Sequence, residues 1–172
     1  MRAALAVLLA LGLAGCSGES KPPSLQPRPS AAPDLESAAI AAGVIADPAN
    51  TDITGLYARD TDRICVVPDQ LNYRIGAFVD YGDQQSCSGS GTVTRVGEAL
   101  HINFAGAAGC DFDARFEGDR IVFPGRLPAA CEKLCARRAS FAALDVRRLS
   151  ESVSEASTLR NPKGKLLCTP GG

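Results

Sequence analysis

The sequence predicts a mainly β protein, a small antiparallel barrel or sandwich of about seven strands with two or three short helices and a disulfide framework. Three observations predict this fold class. Short apolar runs recur from residue 56 onwards and are separated by turn residues. Within several of these runs apolar and polar residues alternate, which is the period of a half-buried strand. Six cysteines lie in the same region, an even number that allows the strands to be cross-linked.

Four predicted strands occupy the first part of this region, at residues 56–67, 73–81, 91–96 and 100–104. The first contains a polar stretch, residues 60–63, which we interpret as a bend within a single strand. In the second, Phe78 interrupts the alternation, so we expect that strand to be covered on both faces. Gly97 and Glu98 form a good hairpin turn between the third and fourth strands. The fourth strand then has its apolar residues on one face and His101 on the other.

Three further strands are predicted at residues 110–116, 120–123 and 141–149. In the first of these, Phe112, Ala114 and Phe116 alternate with polar residues, and we expect these three side chains to point inward. In the next strand Ile121 and Phe123 share a face. Because the strands are joined mainly by short turns, an antiparallel sheet that curls into a barrel or packs as a sandwich is favoured.

Short helices are predicted before, within and after the β region. Asp34 is a predicted N-cap for a helix over residues 35–45, which we expect to pack against the β region. Pro128 favours the first turn of a second helix, over residues 129–138. A capping box that begins at Ser152 predicts a third short helix near the C-terminus.

Six cysteines are candidates for disulfide bonds: Cys65, Cys87, Cys110, Cys131, Cys135 and Cys168. A structural zinc site would need closely spaced thiolates, usually together with histidine. The chain has one histidine and no C-x-x-C motif. We therefore expect structural disulfides and no metal site.

One disulfide can be predicted from strand register. If Gly97 and Glu98 are the two turn residues, Cys87 lies opposite residue 108 on the neighbouring strand, close to Cys110. This predicts a Cys87–Cys110 bond. Cys131 and Cys135 lie one helical turn apart, so each is expected to bond to a different partner, Cys65 or Cys168, rather than to the other.

Charge and residue content favour a protein without catalysis. The formal net charge is −1, and no basic excess indicates a nucleic-acid partner. The single histidine, His101, is predicted to lie on an outer strand face, away from any nucleophile. The acidic residues Asp111, Asp113, Glu117 and Asp119 lack the loop pattern of a calcium site. We therefore expect no enzyme activity and no cofactor.

The N-terminus has the features of an exported protein. A positive charge at Arg2 precedes an apolar run, residues 3–11, that is too short to span a bilayer. The run leads into Leu13-Ala14-Gly15-Cys16, which resembles the lipobox of bacterial lipoproteins. This resemblance implies cleavage after Gly15 and lipid attachment to Cys16, and so a membrane anchor at the cell envelope.

The chain is expected to contain three parts. Residues 1–15 form the signal peptide, and residues 16–33 form the lipidated cysteine followed by a proline- and serine-rich tether that is too polar to build a core. Residues 34–172 form a single disulfide-containing β domain with its helix and C-terminal tail. By resemblance to other lipoproteins, Ser17 directly after the lipidated cysteine implies the outer membrane, facing the periplasm.

These features predict a lipoprotein that acts as a binding or structural module, with an envelope protein, glycan or small ligand as its partner. Two alternatives stay open. Gly55-Leu56-Tyr57 resembles the G-x-W start of lipocalin-like barrels, which implies a carrier with an apolar cavity lined by Phe104, Phe112, Phe116 and Phe123. The layout of lipobox, tether and small β domain is similar to that of lipoprotein lysozyme inhibitors. A hydrolase would need two facing carboxylates in a cleft.

Overall fold

The computed structural model describes residues 34–42, 44–45 and 52–169. Eight consecutive antiparallel strands make a closed barrel, in which β1 also pairs with β8. The strands are β1 (Gly55–Arg59), β2 (Asp62–Asp69), β3 (Asn72–Asp80), β4 (Ser86–Val96), β5 (Ala99–Ala105), β6 (Asp111–Phe116), β7 (Arg120–Val122) and β8 (Asp145–Ser150). The predicted fold class, a small antiparallel β barrel with disulfides, is confirmed.

The eighth strand arises where we expected a bend. The predicted first strand is a hairpin, β1 and β2, in which Arg59 pairs directly with Asp62. Asp60 has a φ of 49°, a left-handed conformation that aspartate tolerates in tight turns. Thr61 adds a hydrogen bond from its hydroxyl to the Asp80 carbonyl, at 2.6 Å. Residues 60–63 therefore reverse the chain instead of bending one strand.

The predicted alternation of the central strands is confirmed. Val96 pairs with Ala99 across the Gly97–Glu98 turn, as the two-residue turn requires. The core faces of β5 and β6 are buried, and they include Phe104, Phe112 and Phe116. Burial of apolar side chains inside the closed sheet supplies most of the free energy that favours folding.

The C-terminal tail covers the outer face of β2 and β3. A disulfide joins Cys65 to Cys168, and Leu167 packs beside them in a second apolar cluster outside the barrel. Phe78 packs against this cluster from β3, which confirms that the strand has apolar contacts on both faces. Gly76 is required there, because a Cβ at this position would lie 2.5 Å from the Leu167 Cβ.

The other two disulfides are Cys87–Cys135 and Cys110–Cys131, so the predicted Cys87–Cys110 bond is wrong. The chain turns after β5, and the Phe104 amide donates to the Cys110 carbonyl at 3.0 Å. Cys110 therefore begins the return along β5 and lies away from β4. Cys131 and Cys135 do have different partners, as expected, but these are not Cys65 or Cys168.

The helices are shorter than the sequence predicts. Helix α1 (Leu35–Ala41) ends before residue 45, and none of its residues is buried. Residues 129–138 form only a 3₁₀ helix (Ala129–Leu134), because the Cys135 backbone is already extended. In α2 (Val153–Ala156), Ser152 is the N-cap and accepts a hydrogen bond from the Glu155 amide, which confirms the predicted cap.

The two ends of the barrel differ, and we call them the plug end and the arginine end. The plug end holds the β1–β2 turn and the long β7–β8 connection, residues 123–144. The arginine end holds the β4–β5 turn, the start of β1 and the inward side chains of Arg95 and Arg148. Because neighbouring strands are antiparallel throughout, the chain enters β1 at the arginine end, opposite the plug.

Candidate functional site: a basic cleft at the plug end

The β7–β8 connection closes the plug end through covalent and apolar contacts. Cys131, in its 3₁₀ helix, forms a disulfide with the residue before β6, and Cys135, directly after the helix, forms one with the start of β4. The Ala136 amide also donates to the Ser86 carbonyl at 2.8 Å. Phe141 lies inside the barrel and stacks on Phe104, with the ring centroids 5.4 Å apart. The connection is thus held on both its outer and its inner side.

The outer surface of this connection forms a cleft of about 530 Å³. Three arginines, Arg126, Arg137 and Arg138, line it and are exposed, and Glu132 is the one acidic residue among the lining side chains. Apolar groups, including the buried Phe141, complete the lining. A concave surface of several hundred Å³ with a few convergent charged groups is the usual form of a ligand site.

The cleft arginines differ from those on the barrel wall in their partners. Arg120 donates to Asp145 at 2.6 Å, and Arg115 lies 2.9 Å from Glu117. The Arg120 hydrogen bonds hold the pKa of Asp145 below its usual value. In the cleft, the Arg137 guanidinium donates to the neutral side-chain amide of Gln84 at 3.2 Å, and it has no carboxylate partner among the described residues. Arg126 and Arg138 have no ionic or hydrogen-bonding partner within the part of the chain that the structure describes.

The backbone places these guanidinium groups in an uncommon way. Arg137 has a φ of 59° and Ala143 has a φ of 58°, both in the left-handed region that residues with a side chain seldom adopt. Such conformations persist only where the surrounding contacts determine them. Here the Cys87–Cys135 bond lies two residues before Arg137. The disulfide therefore supports the backbone conformation from which Arg137 leaves the chain.

A second cleft continues the basic surface. It measures about 360 Å³, shares Cys135 with the first, and is lined by Lys133 and Lys163 together with Ser86 and Ser88. The β7–β8 connection carries four basic residues and one acidic residue, although the whole chain has a formal charge of −1. The β7–β8 connection is thus a locally basic segment of a chain whose charges are nearly balanced.

The arginine end contains the residues of the predicted lipocalin-like motif. Tyr57 is fully buried, and its hydroxyl donates to the Ile53 carbonyl at 2.8 Å and accepts from the Arg148 Nε at 3.2 Å. Burial raises the pKa of Tyr57 to about 12. The Arg148 guanidinium lies 5.5 Å from the ring centroids of both Tyr57 and Phe116. The Arg95 guanidinium lies 4.7 Å from the Phe116 ring centroid.

The phenylalanines expected to line an apolar cavity are in contact with one another. The Phe112 and Phe123 ring centroids are 5.0 Å apart, and Phe104 lies 6.0 Å from Phe112 and 6.4 Å from Phe123. Phe116 lies apart from them, beneath the two arginines. These distances are those of a packed aromatic core.

The polar residues singled out in the sequence lie on the outer wall. His101 is exposed, as predicted, and its Nδ1 lies 2.9 Å from the Asp113 Oδ1. Glu117 lies 2.9 Å from Arg115, and Asp119 lies 3.9 Å from Arg147. These carboxylates face cations across the sheet surface. The described residues contain no group of three or more His, Cys, Asp or Glu side chains arranged to hold a metal ion.

The N-terminal site residue, Cys16, lies outside the described residues, and the lipidation prediction stays a prediction. In the described parts of the chain, no helix has the length and apolarity needed to cross a membrane.

Sequence reasoning did not find the basic cleft. The signal was present, since the segment between Arg126 and Arg138 is basic and contains two cysteines. The cleft nevertheless depends on the pairing of those cysteines with Cys87 and Cys110, and the sequence-based prediction pairs Cys87 with Cys110 instead. No family model matches the chain, and comparison with curated proteins and with solved structures finds no significant similarity.

Proposed function

We propose that this protein is a lipid-anchored envelope lipoprotein whose disulfide-bonded β barrel serves as a non-catalytic binding module. The observation that carries the proposal is the Leu13-Ala14-Gly15-Cys16 sequence, placed directly after a short apolar run. The lipid on Cys16 anchors the chain in the outer membrane on the periplasmic side. In this proposal the proline-rich segment, residues 17–33, links the anchor to the rest of the chain as a tether.

The cysteine chemistry supports export. All six cysteines of the described region are paired in three disulfides. Disulfides form and persist in oxidising compartments such as the bacterial periplasm and are rare in the cytosol. A chain that carries a lipobox and folds around three disulfides is therefore consistent with a periplasmic location.

The barrel supports binding at its surface more than binding inside. An eight-stranded up-and-down barrel is also the architecture of lipocalins, which favours the apolar carrier as an alternative. However, Phe104, Phe112 and Phe123 pack against one another in the interior. An apolar ligand would have to displace this packing, whereas a surface partner would not. The lysozyme-inhibitor alternative is also one of surface binding.

Metabolic labelling with radioactive palmitate tests the anchor. The wild-type chain should be labelled and should fractionate with the outer membrane. Cys16→Ser should lose the label and leave the membrane fraction. Ser17→Asp is the matched control, because it retains the lipidated cysteine: it should keep the label and move to the inner membrane. An unchanged label and unchanged fractionation in Cys16→Ser would contradict the proposal.

Nile red binding separates the carrier from the surface module. A carrier should bind one Nile red per barrel, with enhanced and blue-shifted fluorescence. The proposed surface module should give no saturable signal with the folded chain, because the interior is occupied by its own aromatic rings.

A further inference from the structure

We propose that the basic cleft of the β7–β8 connection binds an acidic peptide segment of an envelope partner through Arg126, Arg137 and Arg138. This inference rests on the proposed binding function, and it adds the chemistry of the partner.

The charge of the cleft selects an anion. Arg126 and Arg138 are exposed and lack a carboxylate partner among the described residues, whereas wall arginines such as Arg120 have one. A guanidinium presents its donors as a planar fork that matches the two oxygens of a carboxylate. An incoming carboxylate would therefore meet donors that give up no internal ion pair.

The remainder of the lining favours a peptide over a purely anionic polymer. Leu127 is half-buried, packs against the apolar core and borders the cleft. It offers contact area to an apolar side chain, which a chain of charged groups does not carry. Glu132 would repel a dense row of anions, but it can accept hydrogen bonds from backbone amides. A segment with carboxylates, amides and at least one apolar side chain satisfies all three kinds of lining residue.

The shape of the cleft argues against a membrane surface as its occupant. A planar membrane favours a flat or protruding basic patch, whereas the three arginines line a concave surface.

The cleft is preorganised for binding. Cys87–Cys135 and Cys110–Cys131 anchor the connection that carries the arginines. A rigid site loses little conformational entropy when a ligand binds, so more of the interaction energy contributes to affinity.

Fluorescence anisotropy with a defined peptide tests the inference. The probe is fluorescein-labelled Gly-Glu-Leu-Glu-Gly, and the protein is the full chain in a neutral detergent. We expect saturable binding that weakens with salt, because the contacts are charged. Arg126→Gln/Arg138→Gln should weaken binding about tenfold, the loss of a modest pair of charge-assisted contacts. The same peptide with Gln in place of both Glu residues should not bind.

A matched variant separates the site from net charge. Arg115→Gln/Arg147→Gln removes the same charge from two exposed wall arginines, and it should change the affinity less than about twofold. Equal losses in the two double variants would overturn the proposal, because binding would then depend on total charge. Near-ultraviolet circular dichroism should show that both variants retain the fold, since all four residues are exposed.

Two further results would overturn the inference. One is the absence of peptide binding at protein concentrations up to about 1 mM, because weaker binding would not indicate specific recognition. The other is binding of phosphatidylglycerol vesicles that depends on Arg126 and Arg138 while the peptide fails to bind. The palmitate experiment tests the lipid anchor separately from the cleft. A chain that binds the peptide but takes up no palmitate would contradict the lipid anchor and leave the cleft inference in place.

Discussion

The two ends of this barrel are closed by different kinds of interaction. At the plug end, Cys87–Cys135 and Cys110–Cys131 tie a long connection across the opening, and aromatic rings fill the space beneath it. At the arginine end, Arg148 lies over Tyr57 and Phe116, and its side chain is only 7% exposed. One end is closed by covalent bonds and the other by hydrogen bonds and cation–π contacts.

This difference in closure indicates which end of the barrel can carry a surface binding site. The arginines of the arginine end are committed to closing the barrel, since Arg148 also donates to the Tyr57 hydroxyl and the Glu151 carboxylate. At the plug end the disulfides close the barrel, so Arg126 and Arg138 are not needed for closure. The same residue type is therefore structural at one end and available for a ligand at the other.

The largest expected effect comes from removing a plug-end disulfide. Cys87→Ala/Cys135→Ala should lower the free energy of unfolding by about 4 kcal/mol, because the bond restricts a long loop in the unfolded chain. Urea unfolding followed by circular dichroism measures the loss. Peptide binding to the cleft should weaken as well, since Arg137 loses the support of the neighbouring bond.

The tail disulfide is the control for this prediction. Cys65→Ala/Cys168→Ala removes a bond of similar entropic value on the outer wall. It should lower stability by a comparable amount but leave peptide affinity unchanged under conditions where the variant is folded. A cleft equally weakened by both pairs of substitutions would mean that the plug disulfides do not position the arginines specifically.

The second prediction concerns the arginine end. Arg148→Ala should lower the free energy of unfolding by about 3 kcal/mol, because it exposes two aromatic rings and leaves buried polar atoms without partners. Arg148→Lys keeps the charge but not the planar fork, and should recover less than half of the loss. Urea unfolding measures both values. A lysine variant as stable as the wild type would show that charge alone closes this end.

The fold was predictable from the sequence because the alternation is strong where one face is buried. In β5 and β6 every second residue is apolar, and the structure buries each of them. The number of strands was less certain, because a polar stretch such as residues 60–63 is compatible both with a bend within one strand and with a turn between two strands. Only the pairing of Arg59 with Asp62 distinguishes the two. Local composition therefore identifies strands more reliably than it identifies chain reversals.

The disulfides and the cleft were beyond sequence reasoning for a related physical reason. The predicted pairing register of β4 and β5 was correct. The pairing ends at Ala105, however, so this register carries no information about the residues beyond the following turn. Cys110 lies beyond it and faces Cys131. Whether Arg126 has an ion pair depends on which side chains the folded connection brings near it, and no local pattern in the sequence encodes that.

The third prediction uses the pH dependence of the arginine end. The pKa of Tyr57 is about 12 in the folded state, against about 10 for an unfolded chain. The folded state therefore favours the neutral phenol. This stabilisation is complete below pH 10 and is lost as the pH rises through 12. The loss should reach about 2 to 3 kcal/mol, measured by urea unfolding at a series of pH values.

Two tyrosine variants isolate this effect. Tyr57→Phe should be less stable at neutral pH, since the Ile53 carbonyl loses its donor, but it should lose less stability between pH 10 and 12 than the wild type. Tyr81 is 57% exposed, and Tyr81→Phe should keep the alkaline loss. An alkaline loss that is the same in all three proteins would assign it to other groups.

The smallest expected effect tests how tightly the plug end is packed. A Cβ on Gly89 would lie 3.1 Å from the Phe104 Cδ1 and 3.2 Å from the Leu134 Cδ1. The Phe104 ring is held by three neighbouring rings, so Leu134 must move. Gly89→Ala should therefore lower the free energy of unfolding by about 1 kcal/mol. Gly125→Ala, at a position with open space, should be neutral or slightly stabilising. A stabilised Gly89→Ala would show that the plug packs loosely and that its disulfides alone close this end.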